Sequence, residues 1–355
     1  MIKKLLLGAL ALVATGATVA YVQRETITLA VVEKVANKRM QNPFATLADC
    51  LHIGLCGTGS PFPDPDRAAP CTLVIAGQDM FLFDAGSAAA KQIALMGFST
   101  GQLKGVFITH FHSDHIDGLG EVLMTRWAQH TEGQKLTVHG PSGISKVMNG
   151  LETAYQQDSA YRTAHHGAAT MPPELAGAQT HEFEVRKGNY TTVLQQPGLQ
   201  IEAFAVNHQP INPAVGYRIT YKGRTVVLSG DTTSDQQVKN AARNADLLLH
   251  EALSPELVAR LQETAIDNNR SKLAKIFADI PNYHATPLDV AVLAQEAQVG
   301  YVVLHHIVPP LPLAPLREIF LGKAPEIFQG PLRIGEDGDF ISLPAGSKEV
   351  IFDRR

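Results

Sequence analysis

The stretch Thr-His-Phe-His-Ser-Asp-His at 109–115 constrains this chain more than any other. Three imidazoles and a carboxylate fall within six positions, in a chain of 355 residues with 14 histidines. Neutral imidazole and carboxylate are preferred ligands of zinc and related transition metals. An apolar, strand-like segment precedes the stretch, so His110 and His112 project to one side, and a following turn brings Asp114 and His115 to a second position. The pattern predicts a site for two metal ions; a polar loop with histidines placed by chance is the competing interpretation.

Three further ligand candidates repeat the same context. His208, Asp231 and His306 each follow an apolar segment that is typical of a buried strand. Loop residues at strand ends are held in fixed positions by the sheet, which is why binding sites are commonly built there. A structural role is the default for a single histidine in such a place. Three repetitions of the context favour ligation instead.

The composition is that of a globular protein with an ordinary charge content. Hydrophobic residues make up 45% of the chain, and its formal net charge is −4. Proteins that bind nucleic acid usually carry clustered Lys and Arg that neutralise phosphates, and no basic run occurs here. We therefore expect no nucleic-acid partner.

The N-terminus has the pattern of a targeting segment. Lys3 and Lys4 precede an uncharged run that extends to Val22, with small residues at 18–20 that would suit cleavage. Residues 1–22 are predicted to be either a signal peptide or an uncleaved inner-membrane anchor, and residues 23–48 a helical lead-in that favours the anchor. Either interpretation predicts a periplasmic or secreted protein.

The chain contains three cysteines, Cys50, Cys56 and Cys71, and none has the spacing of a metal-binding Cys pair. Cys56 ends one predicted strand and Cys71 begins the next. A disulfide between them would fit an oxidising compartment. Two buried free thiols are an equally acceptable interpretation.

The order of predicted elements favours two sheets between helical layers, in one domain over residues 49–350. Residues 255–280 and 287–298 are predicted to be helical. Residues 141–188 are helical and irregular, and we interpret them as an insertion over the site. The insertion supplies candidates for lining a substrate pocket, with ordinary packing as the alternative role: Tyr155, Tyr161, His165 and His166.

In order and context, the ligand candidates and Asp84 resemble the five motifs of the metallo-β-lactamase superfamily. The resemblance covers nearly all of the chain after residue 51 and implies an α/β fold, a four-layer αβ/βα sandwich with a dinuclear site on one edge. It implies three groups of residues around two divalent ions. These are His110, His112 and His208 on one ion, Asp114, His115 and His306 on the other, and Asp231 bridging them, with Asp84 orienting a ligand imidazole. His305 competes with His306, and the motif spacing favours His306.

Two further motifs indicate which branch of the superfamily the chain resembles. The sequences around Glu251 and around His284 resemble those of ribonuclease Z and of metal-dependent arylsulfatases, in which this histidine assists catalysis without binding metal. Glu251 is accordingly placed behind the site with Asp84. For His284, a polar residue at a helix N-terminus is the competing interpretation.

Two observations argue against tRNA processing. Positions 208 and 231 are only 23 apart, which leaves no room for the basic arm that ribonuclease Z carries there, and the chain is acidic. The resemblance therefore predicts an exported hydrolase of small aryl sulfate esters, using a hydroxide held between the metals, with Asp114 and His284 as catalytic residues.

Other functions stay open. A phosphodiesterase or a lactonase could use the same metals, and a protein with a purely structural zinc site belongs to a different class. Zinc is the expected ion, and manganese or iron could occupy the same ligands. The oligomeric state is not predicted.

Overall fold

A computed structural model describes residues 21, 23–41, 43–129 and 133–355. The chain divides into two compact units, one up to Leu47 and one from Ala48 to Arg355. In the first unit, helix α1 spans Arg24–Met40 and a 3-10 turn spans Pro43–Thr46. The predicted signal or anchor at 1–22 lies almost entirely outside the described residues. Within the described ranges, no helix has the length and apolar character needed to cross a membrane.

The second unit contains an eight-stranded mixed sheet in the order β15-β14-β1-β2-β3-β4-β5-β6. Strands β3, β4, β5 and β6 run parallel to one another, so their carboxyl ends meet at one edge. The strands of this sheet are β1 Cys50–Gly57, β2 Cys71–Ala76, β3 Asp79–Phe83, β4 Leu103–Phe107, β5 Leu136–Pro141, β6 Ala178–Phe183, β14 Asp339–Pro344 and β15 Ile351–Arg354.

A seven-stranded mixed sheet follows, in the order β13-β12-β11-β10-β9-β8-β7. Its interior strand β11 has the sequence Leu-Leu-Leu-His-Glu-Ala-Leu and is buried throughout, as expected for a parallel strand covered on both faces. The strands are β7 Tyr190–Gln196, β8 Leu199–Ala205, β9 Val215–Tyr221, β10 Arg224–Leu228, β11 Leu247–Leu253, β12 Val302–Val308 and β13 Leu332–Ile334.

The two sheets pack face to face. One apolar core joins Leu51 and Phe107 of the first sheet to Tyr217 and Val226 of the second. A second core covers the other face of the second sheet with helices. The predicted class, an α/β sandwich of four layers, is therefore confirmed.

The helices of the second unit lie between and after these strands. Those with α-helical geometry are α2 Ala89–Leu95, α3 Ser113–Ile116, α4 Leu119–Gln129, α5 Ile144–His166, α6 Gln236–Ala241, α7 Pro255–Asp267, α8 Ser271–Asp279, α9 Pro287–Glu296, α10 Pro315–Leu321 and α11 Ala324–Ile327. Short 3-10 helices occur at Thr100–Gln102, Pro173–Leu175 and Ile280–Asn282.

Two details bear on the predictions. Cys56 and Cys71 form a disulfide, and Cys50 is a buried free thiol. Of the two alternatives for Cys56 and Cys71, the structure therefore supports the disulfide. Residues 141–188 contain α5, but they also contain β6, which pairs with β5 as a strand of the first sheet.

Candidate metal centre

The first sheet presents one half of the site at the carboxyl end of β4. The chain leaves this strand at Phe107, and His110 is fully buried two residues after Ile108. The four-residue helix α3 then buries Asp114 and His115. The turn at Gly86 packs so closely under this helix that a Cβ there would lie 2.2 Å from the Asp114 carbonyl oxygen.

The second sheet presents the other half. His208 follows β8 and Asp231 follows β10, and both side chains are buried. His306 differs from its prediction, because it lies inside β12 rather than after it. It occupies a bulge opposite Glu251, with a left-handed φ of 48°. That bulge turns the His306 imidazole toward the site while the strand continues.

Four side chains form the first ligand group: His110, His112, His208 and Asp231. His110 Nε2 lies 2.9 Å from His112 Nδ1, and His208 Nε2 lies 3.4 Å from the same atom. Their ligand atoms all fall within 4.8 Å of one another. Ligands of a tetrahedral ion with metal–nitrogen bonds of about 2 Å are separated by roughly 3.3 Å, so this group fits an ion.

Asp114, His115 and His306 form the second group. The Asp114 Oδ2 atom lies 3.5 Å from His115 Nε2 and 3.3 Å from His306 Nε2. The buried Nε2 of His115 makes no hydrogen bond. A buried nitrogen without a partner is costly, and an ion held by this group would satisfy it.

One carboxylate oxygen lies between the two groups. Asp231 Oδ2 is 3.8 Å and 3.9 Å from the Nε2 atoms of His110 and His208 in the first group. It is 3.4 Å and 3.2 Å from those of His115 and His306 in the second. This is the position that a carboxylate shared by two ions would occupy.

Charge is balanced inside the site. Burial alone would raise the pKa of Asp231, but the imidazoles of His306 and His115 outweigh it and hold that pKa well below its usual range. Burial would lower the pKa of each of these imidazoles, yet the carboxylates of Asp231, Asp84 and Asp114 raise the pKa of His115 well above its usual value. Those of Asp231 and Asp114 raise the pKa of His306 to about 9. Metal binding at these nitrogens would therefore displace protons.

Burial favours the neutral form of the three imidazoles in the first ligand group. Burial lowers the pKa values of His110, His112 and His208, for His110 well below the ordinary value. Neutral imidazole is the form that ligates a metal.

Hydrogen bonds behind the ligands fix their orientation. His115 Nδ1 lies 2.8 Å from Asp84 Oδ2, while Asp84 Oδ1 accepts from the Thr109 amide at 2.8 Å. The Thr109 hydroxyl also donates to Asp84 Oδ2 at 2.9 Å. His208 Nδ1 donates to the Tyr283 carbonyl at 2.9 Å. The sequence motifs predict no role for Thr109 or Tyr283.

His284 lies beside the second group. Its Nδ1 is 3.2 Å from Glu251 Oε1, and that oxygen accepts a hydrogen bond from the Ala285 amide at 2.9 Å. Its ring stacks on His306 with centroids 5.6 Å apart. His284 also lies close enough to Asp231 and His306 to form a third possible ligand group. His305, by contrast, has both ring nitrogens buried without a partner, and burial lowers its pKa to about 3.

The four pocket candidates on α5 lie apart from these groups. Tyr155 lines a cavity of about 520 Å³ between α4 and α5, and its ring packs against Gly120. Tyr161, His165 and His166 line a second cavity on the same helix. Among the described residues, the linings of these two cavities include none of the ligand candidates.

Comparison with known proteins gives consistent relatives. Residues 51–264 match the family model described as anti-Pycsar protein Apyc1. Ribonuclease Z of Mycobacterium bovis (strain BCG / Pasteur 1173P2) is 35% identical over 289 residues, which cover 81% of this chain and 96% of that protein. Ribonuclease Z of Mycobacterium avium (strain 104) is 32% identical over 299 residues, which cover 84% of this chain and 100% of that protein.

Solved structures agree on the fold. The short form of human tRNase Z superposes with a TM-score of 0.57 at 22% identity, covering 83% of this chain and 100% of that one. Zn(2+)-bound PqqB from Methylobacterium extorquens superposes with a TM-score of 0.50 at 14% identity, covering 82% of this chain and 100% of that one.

These relatives correct several predictions. The main prediction, hydrolysis of aryl sulfate esters, is wrong, because the curated relatives are named ribonuclease Z. The same names contradict a small-molecule ester substrate and the absence of a nucleic-acid partner. They also contradict the predicted periplasmic or secreted location, for which a signal peptide and a membrane anchor were the alternatives. The short interval between His208 and Asp231 does not exclude this family, since the chain covers 96% of the Mycobacterium bovis protein.

Proposed function

We infer that this chain, which belongs to the metallo-β-lactamase-fold family of ribonuclease Z and the anti-Pycsar protein Apyc1, is a metal-dependent phosphodiesterase that cleaves RNA. The family assignment rests on relatives that match nearly end to end. The main support for this reaction is the position of Asp231 Oδ2, which lies within 3.9 Å of imidazoles from both ligand groups. A dinuclear centre suits hydrolysis of a phosphodiester, because attack and departure occur on opposite sides of one phosphorus.

The two ligand groups would hold two divalent ions, with zinc as the first choice. His110, His112 and His208 would hold one ion, Asp114, His115 and His306 the other, and Asp231 both. Manganese or iron would suit the same nitrogen and oxygen donors. When bound, the ions would supply Lewis acidity and lower the pKa of water toward neutrality.

The chain's own residues would act as the general base and the general acid. Asp114, with Oδ2 3.3 Å from His306 Nε2, would accept the proton of the attacking water. Glu251 Oε1 lies 3.2 Å from His284 Nδ1, and His284 would use Nε2 to protonate the leaving oxygen as its bond to phosphorus breaks. Asp84 would hold His115 in the tautomer that presents Nε2 to the ion.

A substrate panel tests the proposal. The full chain, loaded with zinc or manganese, would be assayed on a precursor tRNA with a 3′ extension, bis(p-nitrophenyl) phosphate, p-nitrophenyl sulfate and a lactone. We expect cleavage of the RNA and the diester, and a loss of about a thousandfold in Asp231→Ala, because this change removes the carboxylate that both ions would share and the electrostatic stabilisation that they would supply.

Asp158→Asn is the matched control, because Asp158 lies on α5 and, among the described residues, forms a partly exposed ion pair with Arg162. Inert RNA and diester with rapid lactone cleavage would refute the proposal. One tightly held zinc per chain with no turnover would favour a structural zinc site instead.

A further inference from the structure

Tyr283 lies against the candidate metal centre, in a position to which neither the motifs nor the ligand groups assign a role. Its ring centroid is 5.1 Å from that of His208, at an interplanar angle of 82°, and 4.8 Å from that of His284, at 46°. The residue is half-buried. It therefore contacts both a candidate metal ligand and the candidate proton donor.

The backbone holds Tyr283 firmly in this place. Its carbonyl accepts a hydrogen bond from His208 Nδ1 at 2.9 Å, and its amide follows the 3-10 turn Ile280–Asn282. Two residues later the Ala285 amide donates to buried Glu251. A side chain anchored on both sides can present a polar group at a defined position.

Apolar and imidazole neighbours contact the ring of Tyr283. Tyr283 packs against an apolar cluster in which Phe62 stacks on Phe277, with centroids 5.7 Å apart. The two imidazoles contact the ring as well. Stacking of a nucleobase on Tyr283 is thus disfavoured.

The phenolic oxygen itself makes no hydrogen bond to any described residue. It is not one of the buried polar atoms that lack a hydrogen-bond partner, so it is accessible to solvent. Buried tyrosine hydroxyls do find partners in this chain, as when Tyr217 donates to the Ile108 carbonyl at 2.6 Å. The Tyr283 hydroxyl is instead an available donor on a side chain whose ring contacts His208 and His284.

We propose that the Tyr283 hydroxyl donates a hydrogen bond to a non-bridging oxygen of the phosphate group bound at this centre. The proposal rests on the phosphodiesterase function inferred above. A phosphodiester brings negative charge next to the carboxylates of Asp114 and Asp231. A neutral O–H donor stabilises that charge, and unlike a cationic side chain it does not compete with the ions for the ligand carboxylates.

Tyr283→Phe tests the proposal, because it removes the hydroxyl and keeps the ring that supports His208 and His284. The probe is inorganic phosphate, titrated calorimetrically into the zinc-loaded full chain. We expect its Kd to rise about tenfold, the effect of losing one hydrogen bond to a charged group. The zinc content should stay unchanged, and kcat/KM on bis(p-nitrophenyl) phosphate should fall by a similar factor.

Tyr301→Phe is the matched control, because Tyr301 is also half-buried and its ring packs against Phe352, away from the centre. Unchanged phosphate affinity in Tyr283→Phe would overturn the proposal, even if the wild-type chain cleaves RNA. Loss of zinc from Tyr283→Phe would also overturn it, since Tyr283 would then act only by supporting His208. A wild-type chain that binds phosphate but cleaves no diester would refute the proposed function alone.

Discussion

At the scale of single residues, the orientation of His115 in the second ligand group depends on its hydrogen bond with Asp84. Asp84 accepts at one oxygen from the Thr109 amide and lies 2.8 Å from His115 Nδ1 with the other. An asparagine would place an NH2 group against one of these donors. We therefore expect Asp84→Asn to weaken zinc binding at the His115 group about ten- to a hundredfold.

Zinc titration against a chromogenic chelator measures this effect, and excess zinc should restore activity. Asp117→Asn, at an exposed position two residues beyond His115, is the control and should bind as the wild type does. Equal zinc affinity in Asp84→Asn would show that the carboxylate does not orient the ligand.

Residue identity was predictable where the side chain itself is rare. A run of three imidazoles around a carboxylate is rare enough to identify a metal site directly. The strand-end context then identified His208 and Asp231 as further ligand candidates. Thr109 and Tyr283 could not be found in this way, because hydroxyl-bearing residues occur in every kind of segment. Their roles depend on neighbours distant in sequence, Asp84 for the first and His208 for the second.

At the scale of elements, the pairing of β5 with β6 contains a titratable contact. His139 and His181 face each other in register, with their Nδ1 atoms 2.8 Å apart, and His139 stacks on Phe107. Burial first, and the neighbouring His181 second, lower the pKa of His139 to about 4. Between that pKa and the unfolded value of about 6.5 the unfolded chain binds more protons. Stability from this residue is therefore complete above pH 6.5 and decreases as the pH falls toward 4.

His139→Phe should remove this pH dependence while it keeps the stacked ring. The wild-type free energy of unfolding should fall by ~3 kcal/mol more than that of the variant between pH 7 and pH 4. Urea unfolding at several pH values measures the difference. His166→Phe, at an exposed position on α5, serves as the control. Parallel pH profiles for wild type and His139→Phe would contradict the assignment.

Element boundaries were predictable where apolar periodicity is strong and failed where it is weak. The strand β6, Ala-Gln-Thr-His-Glu-Phe, is exposed at its four middle positions because it forms the edge of its sheet. Its sequence therefore lacks the alternation that identifies a strand. The helix predicted over 255–280 is two helices, α7 and α8, separated near Asn269, whose φ is 56°. Asparagine tolerates that left-handed conformation better than most residues.

At the scale of the whole molecule, the order of strands and helices predicted the sandwich, because burial of two sheet faces leaves few arrangements. The substrate class was not predictable from total charge. A net charge of −4 is a sum over the whole surface, whereas a phosphate at the proposed centre would meet a local field set by the two ions and their ligands. The N-terminal pattern likewise concerns residues 1–22 and carries no information about the site.

The position of the centre between the sheets predicts how metal removal will act. His110 and His115 come from the first sheet, and His208, Asp231 and His306 from the second, so bound ions would link the two. Ions that bind only the folded state stabilise it by about 2.7 kcal/mol at a hundred times their Kd. We expect a chelator to lower the thermal midpoint of the wild-type chain and added zinc to restore it. The midpoint of Asp231→Ala should respond far less to either treatment, because the carboxylate shared by both ligand groups is gone. A wild-type midpoint that is the same with and without zinc would mean that the ions do not join the two sheets.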